Sequence, residues 1–315
     1  MRYVQYNDGE KIRPGIIIDG QIVDLQGLIS SLELSEDEFT SLRTFIEAGE
    51  PLWEVVQISL KKANMDHIKK HVFDPDGSHT ILEAPLKNTH KLILLAGNYR
   101  GHIDEVGFKV PEENDTVTPQ FFMKPPSTTV IGPGQPILIP HGGLWIDWEV
   151  ELAVVIGRRG KYIPKSKAME YVFGYTILND ISERAFNSNI ENRFVREKDP
   201  FMDWLHGKWF DTFAPMGPFV VTPDEIQNPH NLEIKLFRNG EIEQIGNTSQ
   251  MIHSVSYLIH KLSEIITLEP GDVISTGTPS GVGHGKGIRL GDGDTLECVI
   301  ESIGSLSNPV QVEQI

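Results

Sequence analysis

Cysteine is almost missing from this chain: Cys298 stands alone among 315 residues. No disulfide can close within the chain, and no cysteine-built zinc site is available. Basic residues are also scarce, with 28 Lys and Arg against 44 Asp and Glu and a net charge of −16. No basic cluster interrupts that excess, so neither nucleic acid nor an anionic membrane is expected as a partner. An anionic substrate would need a local island of Lys, Arg or metal inside this negative field. No apolar run approaches the roughly 18 residues of a membrane span. Met1-Arg2-Tyr3-Val4-Gln5 does not read as a signal peptide, and a cytoplasmic protein is expected. Nucleotide loops are wanting too. Ser280 stands where a Walker loop ending at Lys286 needs glycine, and Lys286 stands where a dinucleotide fingerprint begun at Gly281-Val282-Gly283 needs its third. There is no G-x-S-x-G elbow for a serine hydrolase. His67 and His71 have helical spacing without an H-E-x-x-H pattern, and read as a helix surface.

What is present suggests a mainly β chain with some helix. Ile16-Ile17-Ile18, Asp19-Gly20 and Gln21-Ile22-Val23 form a hairpin pattern. Helical stretches follow over Glu36 to Ala48, with a Ser35/Glu38 capping box, and over Pro51 to Lys70. The turn cluster Asp74-Pro75-Asp76-Gly77-Ser78 closes them. Residues 1–85 are therefore expected to form a small α+β domain, and residues 86–315 a second region of short strands. One further helix is predicted there, from Thr248 to Ile266. Irregularly spaced strands among many Gly and Pro turns point to a mainly antiparallel architecture.

The most informative stretch is Asp147-Trp148-Glu149-Val150-Glu151-Leu152. Strand side chains alternate between faces, so the three acids share one face and Trp148, Val150 and Leu152 the other. Neighbouring carboxylates repel and are costly to desolvate, and a hard divalent cation relieves both problems. A solvated acidic face on an amphipathic strand has the same pattern. Asp180, ending the run from Tyr175, could add a third oxygen ligand, or could form a turn or cap a helix beginning at Ile181.

Other constellations carry chemistry in the same open way. His102 and Glu105 are one helical turn apart, as a general base with its orienting carboxylate would be; a surface pair has the same spacing. Lys124 ends an apolar run and Lys208 sits among aromatics, where a desolvated lysine can hold an anion, although most lysines are solvated. Residues 270–283 read as a strand entering a glycine-rich loop, whose backbone N–H groups could approach an anion.

In order, these pieces resemble the fumarylacetoacetate hydrolase superfamily from about Leu92 to the carboxyl terminus. The resemblance rests on Gly97-Asn98-Tyr99 with His102 and Glu105, Phe122-Met123-Lys124-Pro125, Glu149 to Gly157, Gly174-Tyr175-Thr176 with Asn179-Asp180, Lys208 to Pro218, Asn239-Gly240, and Pro270 to Gly283. It implies a mixed β-roll or sandwich catalytic domain behind a smaller amino-terminal domain, assembled as a homodimer. It implies Mg²⁺ or Mn²⁺ on Glu149, Glu151 and Asp180, with Ca²⁺ a substitute in a crystal. Lys208, Lys124, Arg184 and Thr278 become substrate-binding or charge-stabilising positions, and His102 with Glu105 a dyad on a closing lid. Asn187 departs from the longer Gln common at that substrate contact, and Trp148 from a common tyrosine. The implied activity is on a small anionic 2-oxo acid through a metal-stabilised enolate. Hydrolysis of a C–C bond in an acylpyruvate leads; decarboxylation, hydration or dehydration, and isomerisation are alternatives. A non-catalytic Ca²⁺-stabilised binding domain is the remote one.

Overall fold

The computed structural model describes residues 1–30, 39–62, 70–72 (backbone only), 81–105, 107 and 117–314. The Asp-Gly hairpin forms as the sequence predicts. Strands Ile12–Ile18 and Gln21–Asp24 pair so that Ile18 faces Gln21. Both turn residues have positive φ, 48° at Asp19 and 71° at Gly20, which matches the twist of a two-residue hairpin. This hairpin is joined to the rest of the molecule by backbone pairing. Arg2–Asn7 bonds Ile12–Ile18 on one side and Ala214–Val221 on the other, so one sheet crosses the 85/86 boundary.

That sheet runs Lys70–Val72, Gln21–Asp24, Ile12–Ile18, Arg2–Asn7, Ala214–Val221, Val172–Asn179, Val150–Ile156, Val273–Ser275, Leu92–Ala96, Gln120–Lys124. Most neighbours are antiparallel, while Val273–Ser275 and Leu92–Ala96 are parallel. A second sheet contains Glu241–Asn247, Glu233–Arg238, Thr295–Ile300, Gly304–Val312 and Ile137–Ile139. The architecture is β-rich and mixed, as expected. Val150–Ile156 is buried along its whole length. Trp148, Val150, Leu152, Val154 and Ile156 enter one apolar cluster, Ala153 and Val155 the other. Each fully buried Val, Leu or Ile contributes about 1.5–3 kcal/mol, so the strand that carries the acids is anchored on both faces.

Several local expectations shift. The first predicted helix is confined to Leu42–Ala48 among the described residues, where Ser41 Oγ accepts from the Thr44 amide at 3.2 Å. The Ser35/Glu38 capping box and the Asp74–Ser78 turn lie outside the described residues. The next helix is Glu50–Lys62, and His71 belongs to the strand Lys70–Val72 rather than to a helix surface. His67 lies outside the described residues. The Thr248–Ile266 helix narrows to Val255–Ile265 because Ser254 caps it, accepting from the Tyr257 amide at 3.3 Å. Ile181–Arg184 does not start a helix: Ser182–Glu183 pairs with Ile146–Asp147. The Glu183 carboxylate takes the amides of Leu144, Trp145 and Ala185, supplying acceptors that a helix would otherwise provide.

Candidate active site

Antiparallel register brings three acids together. Val150 opposes Asn179 and Glu151 opposes Leu178, and the Asp180 amide donates to the Glu149 carbonyl at 2.8 Å. Asp180 therefore emerges beside Glu149 at the end of the paired strands. One carboxylate oxygen each of Glu149, Glu151 and Asp180 lies within 4.8 Å of the others, and all three residues are buried. Asp147 does not join them. The strand is interrupted between Ile146–Asp147 and Val150–Ile156, and Asp147 accepts from Arg184 Nε at 3.0 Å, from the Gly283 amide at 2.6 Å and from the His284 amide at 3.2 Å. The period-two reading holds for Glu149 and Glu151 and fails at Asp147, because the pleat is broken there.

Three cations face the acids. Lys208 Nζ lies 2.6 Å from Asp180 Oδ2 and 3.0 Å from Glu149 Oε2. Lys124 Nζ lies 2.5 Å from Asp180 Oδ1 and donates to the carbonyls of Ile181 and Phe213. Arg184 donates through Nη2 to Glu149 and through Nε to Asp147. Burial alone would raise the Glu149 carboxyl, but Lys208 and Arg184 hold it well below the usual range. Burial lowers Lys124 to about 8, with the charge of Lys208 adding to that and Asp180 opposing it. Replacing Lys124 by Met is expected to cost about 1–3 kcal/mol, since Asp180 keeps Lys208 but its buried Oδ1 loses its partner. Urea unfolding would measure it, and a loss under about 1 kcal/mol would show that Asp180 does not need this partner.

Glu151 is driven well above the glutamate range by burial and then by Asp180 and Glu149. Its Oε2 accepts from Ser275 Oγ at 2.5 Å and from the Gly277 amide at 2.8 Å. Three hard oxygen donors without Cys or His suit Mg²⁺, Mn²⁺ or Ca²⁺, and a cation among them would relieve the repulsion that raises the Glu151 carboxyl. The residues fit a divalent ion. The sign of the linkage follows. With Glu151 raised in the folded state, its contribution to metal-free stability is complete below the ordinary glutamate range. It is lost as pH rises through the folded value. A cation favours the ionised carboxylate, so the Mn²⁺-induced increase in Tm should grow between pH 5.5 and 8. Scanning calorimetry at both pH values would show it; an equal increase at both would refute it.

Glu149 and Glu151 line a cavity of about 630 Å³, whose lining Asp180 does not reach. Its charged side holds Glu149, Glu151, Arg184, Lys208 and His102, and its apolar wall Leu95, Ile103, Phe122, Phe201 and Trp204. His102 is buried in the short helix Arg100–Glu105, with Nδ1 3.6 Å from Glu105 Oε2. That separation exceeds a formed hydrogen bond, so the two side chains face each other without a closed contact. Glu105 accepts from the Gly281 amide at 3.0 and 3.1 Å. Burial pushes its carboxyl up, but His102 and the Gly281 amide outweigh this and hold it below the usual range.

The remaining sequence-derived positions divide. Thr278 lines the cavity, but its hydroxyl donates to the Val150 carbonyl and accepts from Gln244 Nε2, both at 2.8 Å. Lys124 lies beneath Asp180 and outside the cavity lining. Asn187 donates to Asp203 Oδ1 at 2.8 Å and also stands outside the lining. The glycine-rich loop turns its amides toward the chain's own acids: Gly277 to Glu151, Gly281 to Glu105, Gly283 and His284 to Asp147. A Cβ at Gly281 would meet the Glu243 carbonyl at 2.3 Å, and one at Gly283 would meet Asp147 Oδ1 at 2.7 Å. Glycine is needed there for close approach, not for an external phosphate. Asp147, Gln244 and His284 were not singled out from the sequence as site residues. Only the position of Asp147 in the acidic run signalled any of them.

Residues 91–311 match the family described as fumarylacetoacetate (FAA) hydrolase, C-terminal. A mitochondrial oxaloacetate tautomerase of Xenopus laevis is 37% identical, over 98% of this chain and 90% of its own. The solved structure of a fumarylacetoacetate hydrolase from Exiguobacterium antarcticum superposes with a TM-score of 0.79 at 30% identity, covering 99% of this chain and 100% of that one. Maleylpyruvate hydrolase from Sphingobium sp. SYK-6, solved with manganese(II) and pyruvate, gives 0.74 at 26% identity and covers 100% of both chains. Among the described residues no helix is long and apolar enough to cross a membrane.

Proposed function

The chain is an enzyme of the fumarylacetoacetate hydrolase family, and on that premise we propose that it moves a proton at C3 of a small 2-oxo acid, interconverting the keto and enol forms of an oxaloacetate-type substrate. One observation carries the proposal: His102, which faces Glu105, lines the same cavity as Glu149 and Glu151. Mg²⁺ or Mn²⁺ held by Glu149, Glu151 and Asp180 would supply Lewis acidity that polarises the 2-oxo carbonyl. Lys208 and Arg184 hold Glu149 and Asp180 in place and offset the negative charge of an incoming carboxylate. The His102 imidazole takes a proton from C3 while Glu105 steadies the imidazolium, and a proton then goes to the carbonyl oxygen. Keto and enol forms thus interconvert without net gain or loss of protons. The full-length likeness to an oxaloacetate tautomerase supports this choice among 2-oxo acid reactions.

Hydrolysis of a C–C bond in a 2,4-dioxo acid is the second reading. The extended apolar wall favours it, since that wall suits a tail longer than oxaloacetate has. His102 would then take its proton from the water that attacks the distal carbonyl. The proposal includes a cytoplasmic location and a homodimer, for which exposed Ile190, Phe194 and Val195 would supply apolar surface. A substrate panel tests the reaction: loss of enol absorbance with oxaloacetate, and pyruvate and CO₂ release from acylpyruvates and oxaloacetate, each with Mg²⁺, Mn²⁺ or chelator. Metal-dependent enol conversion is expected. If no 2-oxo acid is turned over in a metal-dependent way, the proposal is wrong.

A further inference from the structure

We propose that His284 reads the distal carboxylate of the substrate, so that the site prefers 2-oxo dicarboxylic acids to monocarboxylic ones of equal length. The inference rests on the 2-oxo acid reading above and deepens it. Among the described residues, the ionisable side chains lining the cavity are His102, Glu149, Glu151, Arg184, Lys208 and His284. Arg184 is committed to Asp147 and Glu149, Lys208 to Glu149 and Asp180, and His102 faces Glu105. His284 is the one that belongs to neither the ion-pair cluster nor the dyad.

Its position is fixed from two directions. The His284 amide donates to Asp147 Oδ2 at 3.2 Å, and the same oxygen accepts from Arg184 Nε at 3.0 Å. Arg184 in turn holds Glu149. The backbone of His284 is therefore tied to a triad member through two side chains. The ring meets Trp145 edge-on, with centroids 6.1 Å apart and planes at 77°, and Trp145 is held by its amide to Glu183 Oε1 at 2.9 Å. The His284 side chain lines the cavity and is exposed. An imidazole N–H donates readily to a carboxylate. A 2-oxo acid held head-first at the triad leaves its far end among the apolar wall, and an anion there needs a donor. Hydrophobic surroundings alone would reject it.

Steady-state kinetics on the metal-loaded protein would test this. His284→Ala is expected to raise the KM for oxaloacetate about tenfold, the loss of one charge-assisted hydrogen bond, with kcat changed less than about twofold. His284→Gln, which keeps an N–H donor, should recover part of the loss. An activity-independent arm compares binding of 2-oxoglutarate and 2-oxopentanoate, equal in length and differing in the terminal carboxylate, to the Mn²⁺ protein by calorimetry. The wild type should prefer 2-oxoglutarate, and His284→Ala should lose that preference through weaker 2-oxoglutarate binding alone. Equal weakening of both ligands, an unchanged preference, or no wild-type preference would each overturn the inference. If the wild type leaves oxaloacetate unconverted yet shows the His284-dependent preference, the proposed reaction fails and this inference stands.

Discussion

His102→Ala is expected to lower kcat by about 10²–10⁴-fold, the usual contribution of a positioned acid–base group, and to leave metal affinity intact. The reason is geometric. His102 lies on a helix that ends in Glu105, and it reaches the cavity without supplying any of the three triad oxygens. Removing the imidazole takes away the proton acceptor but none of the carboxylate ligands. Glu105 keeps its hydrogen bonds from the Gly281 amide, so the segment should stay docked on the glycine-rich loop. Mn²⁺ binding followed by electron paramagnetic resonance, alongside enol-conversion rates, separates the two effects. A kcat within about threefold of wild type would take His102 out of the chemistry. Loss of Mn²⁺ affinity together with kcat would make it a part of the metal site instead. Decarboxylation needs no base at C3, and any such side activity should survive the substitution better than enol conversion does.

Glu151→Gln is expected to abolish the response to divalent metal and to bring turnover down to the rate seen with chelator. It should do so without unfolding the protein. Burial and the neighbouring acids raise the wild-type carboxyl well above the glutamate range, which favours its neutral form, and glutamine imitates that form. Its amide oxygen can still accept from Ser275 Oγ and the Gly277 amide, which now hold Glu151 Oε2. At pH 8, above the ordinary glutamate range, the metal-free variant should be at least as stable as metal-free wild type, because no proton has to be retained against solvent. Two melting curves with and without Mn²⁺ decide the matter. A variant that still gains Tm with Mn²⁺ would show that Glu149 and Asp180 bind the ion without Glu151. A variant that melts well below the metal-free wild type would show that the carboxyl is a structural group.

The two replacements probe different parts of one arrangement, and they were not equally visible in the sequence. Glu149 and Glu151 were visible because alternation along a strand is a short-range rule. The apolar residues between and after them made burial, and hence a need for compensation, legible as well. Asp147 belonged to the same run and went elsewhere. The strand breaks after it, and the amides of residues 283 and 284, distant in sequence, claim it. The glycine-rich loop was legible as a place of close backbone approach. What approaches it was not, because its partners come from two segments far from it in sequence, Glu105 from one and Asp147 and Glu151 from the other. Ser182–Glu183 shows the same limit at smaller scale: a helix-start pattern became a two-residue bridge once Glu183 found three amides to accept.

From sequence alone came the β-rich class, the acidic strand, the His–Glu spacing and the likeness to one family, all of which depend on neighbours along the chain or on ordered motifs. Tertiary structure decided which cation meets which acid. It set Lys124 beneath Asp180 and Lys208 across Glu149 and Asp180, and it tied Asn187 to Asp203 rather than to the cavity. It also joined the amino-terminal strands to the large sheet. The physical reason is range. Side-chain alternation and turn chemistry act over a few residues, whereas the pairing of buried charges depends on which strands lie side by side, and that is settled only when the sheet closes around them.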